Sequence, residues 1–336
     1  MVLAVATAYS WVMGEIPVDG HVADSLVKDL GLPPEKEEAA KRSLQGLLKK
    51  HITALGCNET PIRLHHYTKA SVLKSLLTKE NELQRDVLST DAGPGRMTLW
   101  ASLATHLNDF SELRHGQALI WEEFKRFSAN GGGKMALAKL AGVDWEDKLK
   151  PGHPWTNIYV ACFSEKEDSL GQWRGYAGDR GYALTFEVHP LPTHVLLAKV
   201  NYDGDLSPLS ETFGGLVKFY ERFGEGVNTE ALVTSLRRGL ALTAALYKRS
   251  EWKEEKEWRL VQWCEEPQHT QFRESEGRLI PYHTVPLPEE FKLKGITYGP
   301  GFDAWTEESA LELLKKRAGL GKDVFVRGTT VSLRIR

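Results

Sequence analysis

What most constrains this chain is the rhythm of its apolar residues. Short stretches of period two are interleaved, at irregular intervals, with stretches of helical period. The segment "IRLHHYT", residues 62–68, sets Ile62, Leu64, His66 and Thr68 on one side of a strand and Arg63, His65 and Tyr67 on the other. In "KASVLKSLLTK" the period changes, and Val72, Leu73, Leu76 and Leu77 fall on one helical face. A second strand is predicted at "MTLWAS" (97–102) and a helix at 111–128, followed by a loop at "NGGGK". "TNIYVACFSE" (156–165) reads as a strand of buried type, and further strands are predicted at 180–188 and 194–202. Residues 213–250 read as mostly helical, broken near "GEGVN". "EWRLVQWC" (257–264) and "GITYGPG" (295–301) are strands, and residues 323–336 close the chain as one or two more. Between them "DAWTEESALELLKKRAG" is a helix, with acids in its first turn and Gly319 past its end. No repeat of 20–50 residues is visible. This pattern predicts an α+β fold with a mixed or antiparallel sheet rather than a regular βαβ series.

The text changes character near residue 60. Residues 33–52 read as an amphipathic helix, with Pro33 and Pro34 at its start and lysines in its last turn. The expected organisation is therefore a helical N-terminal extension, 1–60, and one α+β domain, 61–336. The extension is read as a cap over a cleft or as an arm for a partner. A length of 336 residues leaves room for a sizeable core. The net charge of −2 argues against a protein built mainly to hold a nucleic-acid backbone, though not against brief contact with one.

Cys57, Cys162 and Cys264 are odd in number, widely spaced and form no C-x-x-C, so three reduced thiols in a cytoplasmic protein are expected. The first twenty residues lack a basic start and are interrupted by Gly14, Glu15 and Pro17, which predicts no signal peptide. No apolar run is long enough to predict a membrane span.

The chemistry-bearing motifs each have a plain structural reading. "GLGKD" and "GPGF" lack the spacing of a phosphate loop, and "YGPG" reads as a strand-to-helix turn. In "LHHYT" the two histidines face opposite ways, so one is solvated and the other hydrogen-bonded in the core, or His66 lines a pocket. "ATHLNDFSE" is a helix start, with Asp109 or Ser111 as N-cap and Glu112 in the first turn. His106 and Asp109 lack further ligands at suitable spacing, and no metal is expected. "CFSEKEDSLGQWRGYAGDRGYALTF" places Asp168, Gln172, Trp173, Arg174 and Tyr176 after a strand that ends in Ser164. Such a loop suits a flat ligand stacked on aromatic rings; equally it suits a helical turn whose Trp and Tyr pack on the sheet.

The charge run "YKRSEWKEEKEWRLVQWC" stops abruptly at Glu257. Period two sets Glu257, Arg259, Val261 and Trp263 on one strand face. If that face looks into a pocket, Glu257 is a carboxylate oriented by a guanidinium; if it looks outward, the two form a solvated ion pair worth little. Glu251, Glu254 and Glu255 read as solvated.

In order, "LHHYT", "LWAS…HLNDFSE", "YVACFSEKEDSLGQWRGYA…GYALTF", "EWKEEKEWRL" and "GITYGP" resemble one bacterial family, the domain-of-unknown-function family 2971. Its pattern runs Leu-Tyr-His-Tyr-Thr, Leu-Asn-Asp-x-x-Glu, Cys-Phe-Ser-Glu, Trp-x-x-Tyr and Glu-Lys-Glu-Trp-Arg. The resemblance spans residues 62–301, with His65 standing where the family usually has Tyr.

The order of elements in turn resembles the ADP-ribosyltransferase fold, a split sheet with flanking helices. That resemblance implies NAD as substrate and three catalytic residues, His66, Tyr176 and Glu257. It implies a surrounding NAD-binding set of Tyr67, Thr68, Asn108, Ser164, Trp173, Arg174 and Arg259. Glu257 would hold the ribose 2-hydroxyl as charge develops and take a proton from the acceptor. His66 would bind the adenosine ribose, Tyr176 or Trp173 would stack on nicotinamide, and Ser164 would position that ring. Arg174 or Arg259 would face the pyrophosphate or orient Glu257. The implied partner is a macromolecular acceptor, protein or nucleic acid, in a toxin or an anti-phage defence effector. The alternatives are a non-catalytic module sensing a nucleotide or phage component, and a metal-dependent nuclease using Asp109, Asp168 and Glu257.

Overall fold

A computed structural model describes residues 31–43, 61–78, 97–107, 111–129, 157–191, 195–202, 204–224, 228, 239–264, 270–275 and 277–332. The elements, in chain order, are α1 (34–43), β1 (Ile62–Thr68), α2 (Ala70–Leu77), β2 (Thr98–Leu103), α3 (Glu112–Ala129) and β3 (Ile158–Ser164). Then come β4 (Tyr182–Val188), β5 (Leu196–Lys199), α4 (Ser207–Phe223), α5 (239–244) and β6 (Glu257–Trp263). The chain closes with β7 (Gln271–Ser275), β8 (Arg278–Pro286), β9 (Phe291–Tyr298), α6 (Ala304–Arg317) and β10 (Phe325–Gly328). The result is a mixed α/β fold around one open sheet of ten strands.

The main path of the sheet runs β10-β9-β4-β1-β3-β2-β8-β7, with β6 added to β3 and β5 to β6. Among the described residues only β9 and β10 pair in parallel. The path forks at β3. One edge of β3 is fully paired with β6, from Ile158↔Trp263 to Ser164↔Glu257. The other edge is shared. β1 meets it only at His65↔Ser164, and β2 only at Ser102↔Val160 and Leu103↔Tyr159. Between those contacts β1 and β2 splay apart, and a cleft opens there.

Alternation along β3 and β6 divides the core. Val160 and Val261 point to one face, where they join Ile120 of α3, Phe213 of α4 and Leu240 of α5. Tyr159, Ala161, Phe163, Trp258 and Leu260 point to the other face, with Leu73 of α2 and Leu311 of α6. Helices thus cover both faces, and each fully buried aliphatic or Phe side chain contributes about 1.5–3 kcal/mol of transfer free energy. Glu257 and Arg259 share a pleat face with Val261, so they point toward α3 and α5. Gly116 lets α3 come close enough to meet them: a Cβ there would overlap the Ala244 carbonyl of α5. One turn earlier, this approach delivers Glu112 to the same spot.

Several expectations shift. α4 begins at Ser207, earlier than the apolar pattern indicated, because Pro208 at its first turn starts the helix. The charge run after Lys248 is a 3₁₀ helix, Ser250–Glu255, ended by Lys256 in the left-handed region (φ 45°). "YGPG" is the turn between β9 and α6, and Asp303 caps α6 by accepting from the Thr306 amide. The β7–β8 hairpin was not anticipated, since its apolar residues are few and its outer face is exposed at Phe272 and Leu279. Of the 1–60 extension only 31–43 is described; Leu32 and Ala40 are buried in the same apolar cluster as Ile120. The 130–134 loop, Cys57, Asn108 and Asp109 lie outside the described residues. Among the described residues, no helix is long and apolar enough to cross a membrane.

Candidate functional site

The cleft at the fork is lined by His66, Tyr67, Thr68, Trp100 and Ser102 from β1 and β2, and by Cys162 from β3. Tyr176, Lys248, Glu255, Glu257 and Arg259 line its inner end, and Arg273, Ser275 and Arg278 of the β7–β8 hairpin form another wall. His66, Tyr176 and Glu257, distant in sequence, therefore share one cleft.

Glu257 sits at the centre of a buried ion cluster. Arg259 grips it with two bonds, Nε to Oε1 at 2.8 Å and Nη2 to Oε2 at 2.9 Å. Lys248 Nζ reaches the same carboxylate at 3.2 Å. Both cations also serve Glu112, Arg259 at 2.6 Å and Lys248 at 2.8 Å, and Lys248 binds Glu255 at 2.6 Å. Arg259 is 1% exposed and Lys248 3%, so the pairs stand in a low dielectric and are little screened. Burial alone would raise the Glu257 carboxyl, but Arg259 and then Lys248 outweigh it and hold it at about 2. Three carboxylates face two cations, which leaves one negative charge in the wall.

Glu255 carries the flexibility of that charge. Burial pushes its carboxyl above the ordinary range; Lys248 opposes this, and the Glu257 charge adds to it. It accepts a hydrogen bond from the Tyr176 hydroxyl at 2.9 Å. Burial, and then the charges of Glu257 and Glu255, raise the Tyr176 phenol, so it stays a donor. Tyr176 belongs to a π-helical stretch, Trp173–Ala177, a local geometry frequent at functional sites. The reading of Glu255 as a solvated residue is thus corrected: the 3₁₀ helix turns its last side chain inward, while Glu251 and Glu254 stay exposed.

His66 closes the gap in the β3 edge. Its Nδ1 lies 2.8 Å from the Cys162 carbonyl, which has no strand partner on that side. A carbonyl only accepts, so Nδ1 carries the proton. Burial lowers the His66 pKa; the Cys162 bond opposes this, and the nearby Arg273 charge adds to it. The ring is neutral and its Nε2 remains an acceptor. His65 is not solvated either: it is 2% exposed and bonds Thr185 Oγ1, its direct cross-strand neighbour on β4, at 3.1 Å.

The remaining residues of the implied set divide. Thr68 lines the cleft. Tyr67 does too, but its hydroxyl donates to the Lys166 and Glu167 carbonyls and its ring packs edge-on against Trp173. Trp173 is 0% exposed and donates Nε1–H to Asp168, so it has no face to offer a ligand. Asp168 is further occupied by Thr329 and Thr330. Ser164 donates to the Glu255 carbonyl at 2.6 Å and accepts from the Lys166 amide, which fixes the Glu255 turn rather than a ligand. Arg174 is exposed and outside the cleft lining. Arg259 lines the cleft but is fully engaged by Glu257, Glu112 and the Ala245 carbonyl. Asn108 lies outside the described residues. Among the described residues no group of three or more His, Cys, Asp or Glu is placed to hold a metal ion. The Glu112, Glu255 and Glu257 oxygens are already met by Lys248 and Arg259.

Several charged cleft residues went unread in the sequence. Glu112 passed as a first-turn acid and Lys248 as part of a charge run. Glu255 was assigned to solvent, and Arg273 lay in the unanticipated hairpin. The available signal was the alternation of Gln271, Arg273 and Ser275 against exposed Phe272 and Glu274.

A family model described as a protein of unknown function (DUF2971) matches residues 172–260. The match supports the family that the motifs resemble, over the stretch carrying Tyr176, Glu255, Glu257 and Arg259. The β1 and β2 motifs lie outside it. No curated protein and no solved structure matches the chain.

Proposed function

We propose that the protein is an ADP-ribosyltransferase-like enzyme that takes NAD as substrate, breaks its nicotinamide–ribose bond and passes the ADP-ribosyl group to a macromolecular acceptor. The observation that carries this reading is that His66, Tyr176 and Glu257 line one cleft. The strand order is compatible with it: β6, β3 and β1 lie side by side, and although the cross-strand row beside Glu257 and Ser164 carries His65, His66 lines the same cleft. A toxin or anti-phage defence effector is the proposed setting, on the family resemblance alone.

In this reading the electron pair of the breaking bond leaves with the nicotinamide nitrogen, and the ribose carbon becomes cation-like. The unbalanced negative charge of the cleft wall stabilises that cation. Glu257, held at about 2, supplies fixed charge but is a poor base near neutrality. Glu255, with its raised carboxyl, is the better proton acceptor. It takes the proton of the acceptor's nucleophile as the new bond to the ribose carbon forms. Tyr176 offers a ring for the nicotinamide, and His66 Nε2 accepts from a ribose hydroxyl. Incubation of purified protein with labelled NAD and a cell lysate is expected to give label transfer or nicotinamide release. Glu255→Gln and Glu257→Gln should each reduce it at least tenfold while the circular dichroism stays native. The absence of both transfer and release with the unmodified protein overturns the proposal.

A second reading has its own observation. Both Glu257 oxygens are engaged by Arg259 and Lys248, which suits a carboxylate committed to architecture. A non-catalytic module that senses a nucleotide or a phage component would keep such a wall. Calorimetric titration with NAD separates the two, since a sensor binds its ligand without consuming it.

A further inference from the structure

The cleft contains a cation that has no counter-charge among the described residues. Arg273 Nη2 donates to Ser102 Oγ at 2.9 Å, and its guanidinium carbon stands 6.0 Å from the Trp100 ring centroid. Its Nε is buried and has no hydrogen-bond partner among the described residues. No carboxylate among the described residues pairs with Arg273 or with Arg278, which lines the same wall. A buried donor with nothing to donate to costs roughly 1–3 kcal/mol, more on a charged group, and such groups call for an explanation.

The neighbours define what would satisfy it. Ser102 Oγ accepts from Arg273, so its own hydroxyl proton is available to donate. Ser275 and Thr68 add hydroxyls to the lining. His66, neutral and with Nδ1 committed to the Cys162 carbonyl, adds no positive charge, so the anion is met by the hairpin arginines. A planar guanidinium beside hydroxyl donors matches the oxygens of a phosphate group. Trp100 stacks on Tyr282 at 4.5 Å, which gives the guanidinium a rigid aromatic floor.

We propose that Arg273, with Ser102 and Arg278, forms the phosphate subsite of the cleft and holds a phosphate group of a nucleotide. The subsite replaces Arg174 and Arg259 as the groups that face a pyrophosphate. It lines the same cleft as Glu255 and Glu257, so a nucleotide held there would extend between an anion-binding group and a cation-stabilising one. The nucleotide part rests on the reading of the cleft given above; the anion site itself does not.

The test is isothermal titration of the full chain with inorganic phosphate, pyrophosphate and ADP. ADP is expected to bind, and Arg273→Gln should weaken it roughly ten- to a hundredfold, the worth of a hydrogen bond to a charged group. Arg278→Gln should weaken it severalfold, with a shallower dependence on salt. Arg273→Lys should retain part of the affinity. Inorganic phosphate binding as tightly as ADP supports the subsite but makes the free ion its source, whereas preference for ADP identifies a nucleotide. Failure of all three probes, or unchanged ADP binding by a folded Arg273→Gln protein, overturns the subsite. The enzymatic reading fails separately. If NAD is never cleaved yet ADP binds through Arg273, the subsite stands. If NAD is cleaved and Arg273→Gln leaves KM unchanged, the subsite falls and the enzyme remains.

Discussion

Two walls of one cleft handle positive charge in opposite ways. On the inner wall Arg259 and Lys248 are almost wholly buried, and every oxygen of Glu257 and Glu112 that they reach is spent on them. On the hairpin wall Arg273 is only partly buried and is left with an unanswered Nε. Buried charge is tolerated when partners supply what water supplied. Among the described residues the inner wall meets that condition, and the hairpin wall does not. The difference separates cations that hold the fold together from cations kept for something that arrives.

The sharpest way to break this contrast is Arg259→Met. Methionine fills much of the same space but leaves Glu257 and Glu112 with Lys248 alone. Removal of one partner from a buried pair typically costs about 3–5 kcal/mol. The midpoint of urea unfolding should fall accordingly, with the slope unchanged. A loss under about 1 kcal/mol would mean that the inner wall is solvated, and the contrast would disappear.

A second test uses protons instead of mutations. Burial lowers the His65 pKa from 6.5 to about 4; the Glu167 charge opposes this, and the charges of Arg63 and Arg327 add to it. Because the folded value is depressed, the unfolded chain takes up the proton first as pH falls. Stability is full above pH 6.5 and declines down to about pH 4. At 1.36 kcal/mol per unit the full effect is about 3 kcal/mol. His66 acts in the same direction. Glu257 has its own window: its stabilisation is present above 4.5 and is lost as pH falls toward 2. Unfolding midpoints measured from pH 7 to pH 4 should therefore drop before Glu257 begins to protonate. His65→Gln, which can keep a bond to Thr185, should flatten the upper part of that curve. An unchanged curve in this variant would show that His65 is accessible to water in solution.

How far all this was legible depends on which interactions set each feature. β1, β3, β4 and β6 were readable because both faces of each are buried over most of their length, so their apolar residues run almost continuously. The strand period of two placed Glu257 beside Arg259 on one face. Glu255 was misread because its inward turn depends on Lys256 adopting a left-handed conformation and on Ser164 binding the Glu255 carbonyl, 91 residues away in sequence. The role of Glu112 was hidden for a similar reason. Its burial follows from the close approach of α3 to α5 at Gly116, a packing fact that no local pattern carries. Trp173 and Tyr176 had two open readings, ligand platform or core packing; Trp173 packs in the core, and Tyr176 lines the cleft. The π-helical turn rotates Trp173 into the core and Tyr176 toward Glu255.

The smallest expected effect is the most discriminating. Arg273→Gln removes a cation whose only hydrogen bond from its guanidinium is to Ser102 and which faces no acid among the described residues. It also removes a buried donor that has no partner among the described residues. The two changes oppose each other, so unfolding stability should move by no more than about 1 kcal/mol in either direction. Set beside the loss expected for Arg259→Met, this ratio is the quantitative form of the contrast between the walls. A loss of several kcal/mol would place Arg273 among the cations that hold the fold. Reduced ADP binding by the same variant would then report damaged structure. A near-zero change makes the binding comparison clean, because any affinity lost with Arg273 is then lost from a wall that was already folded without it.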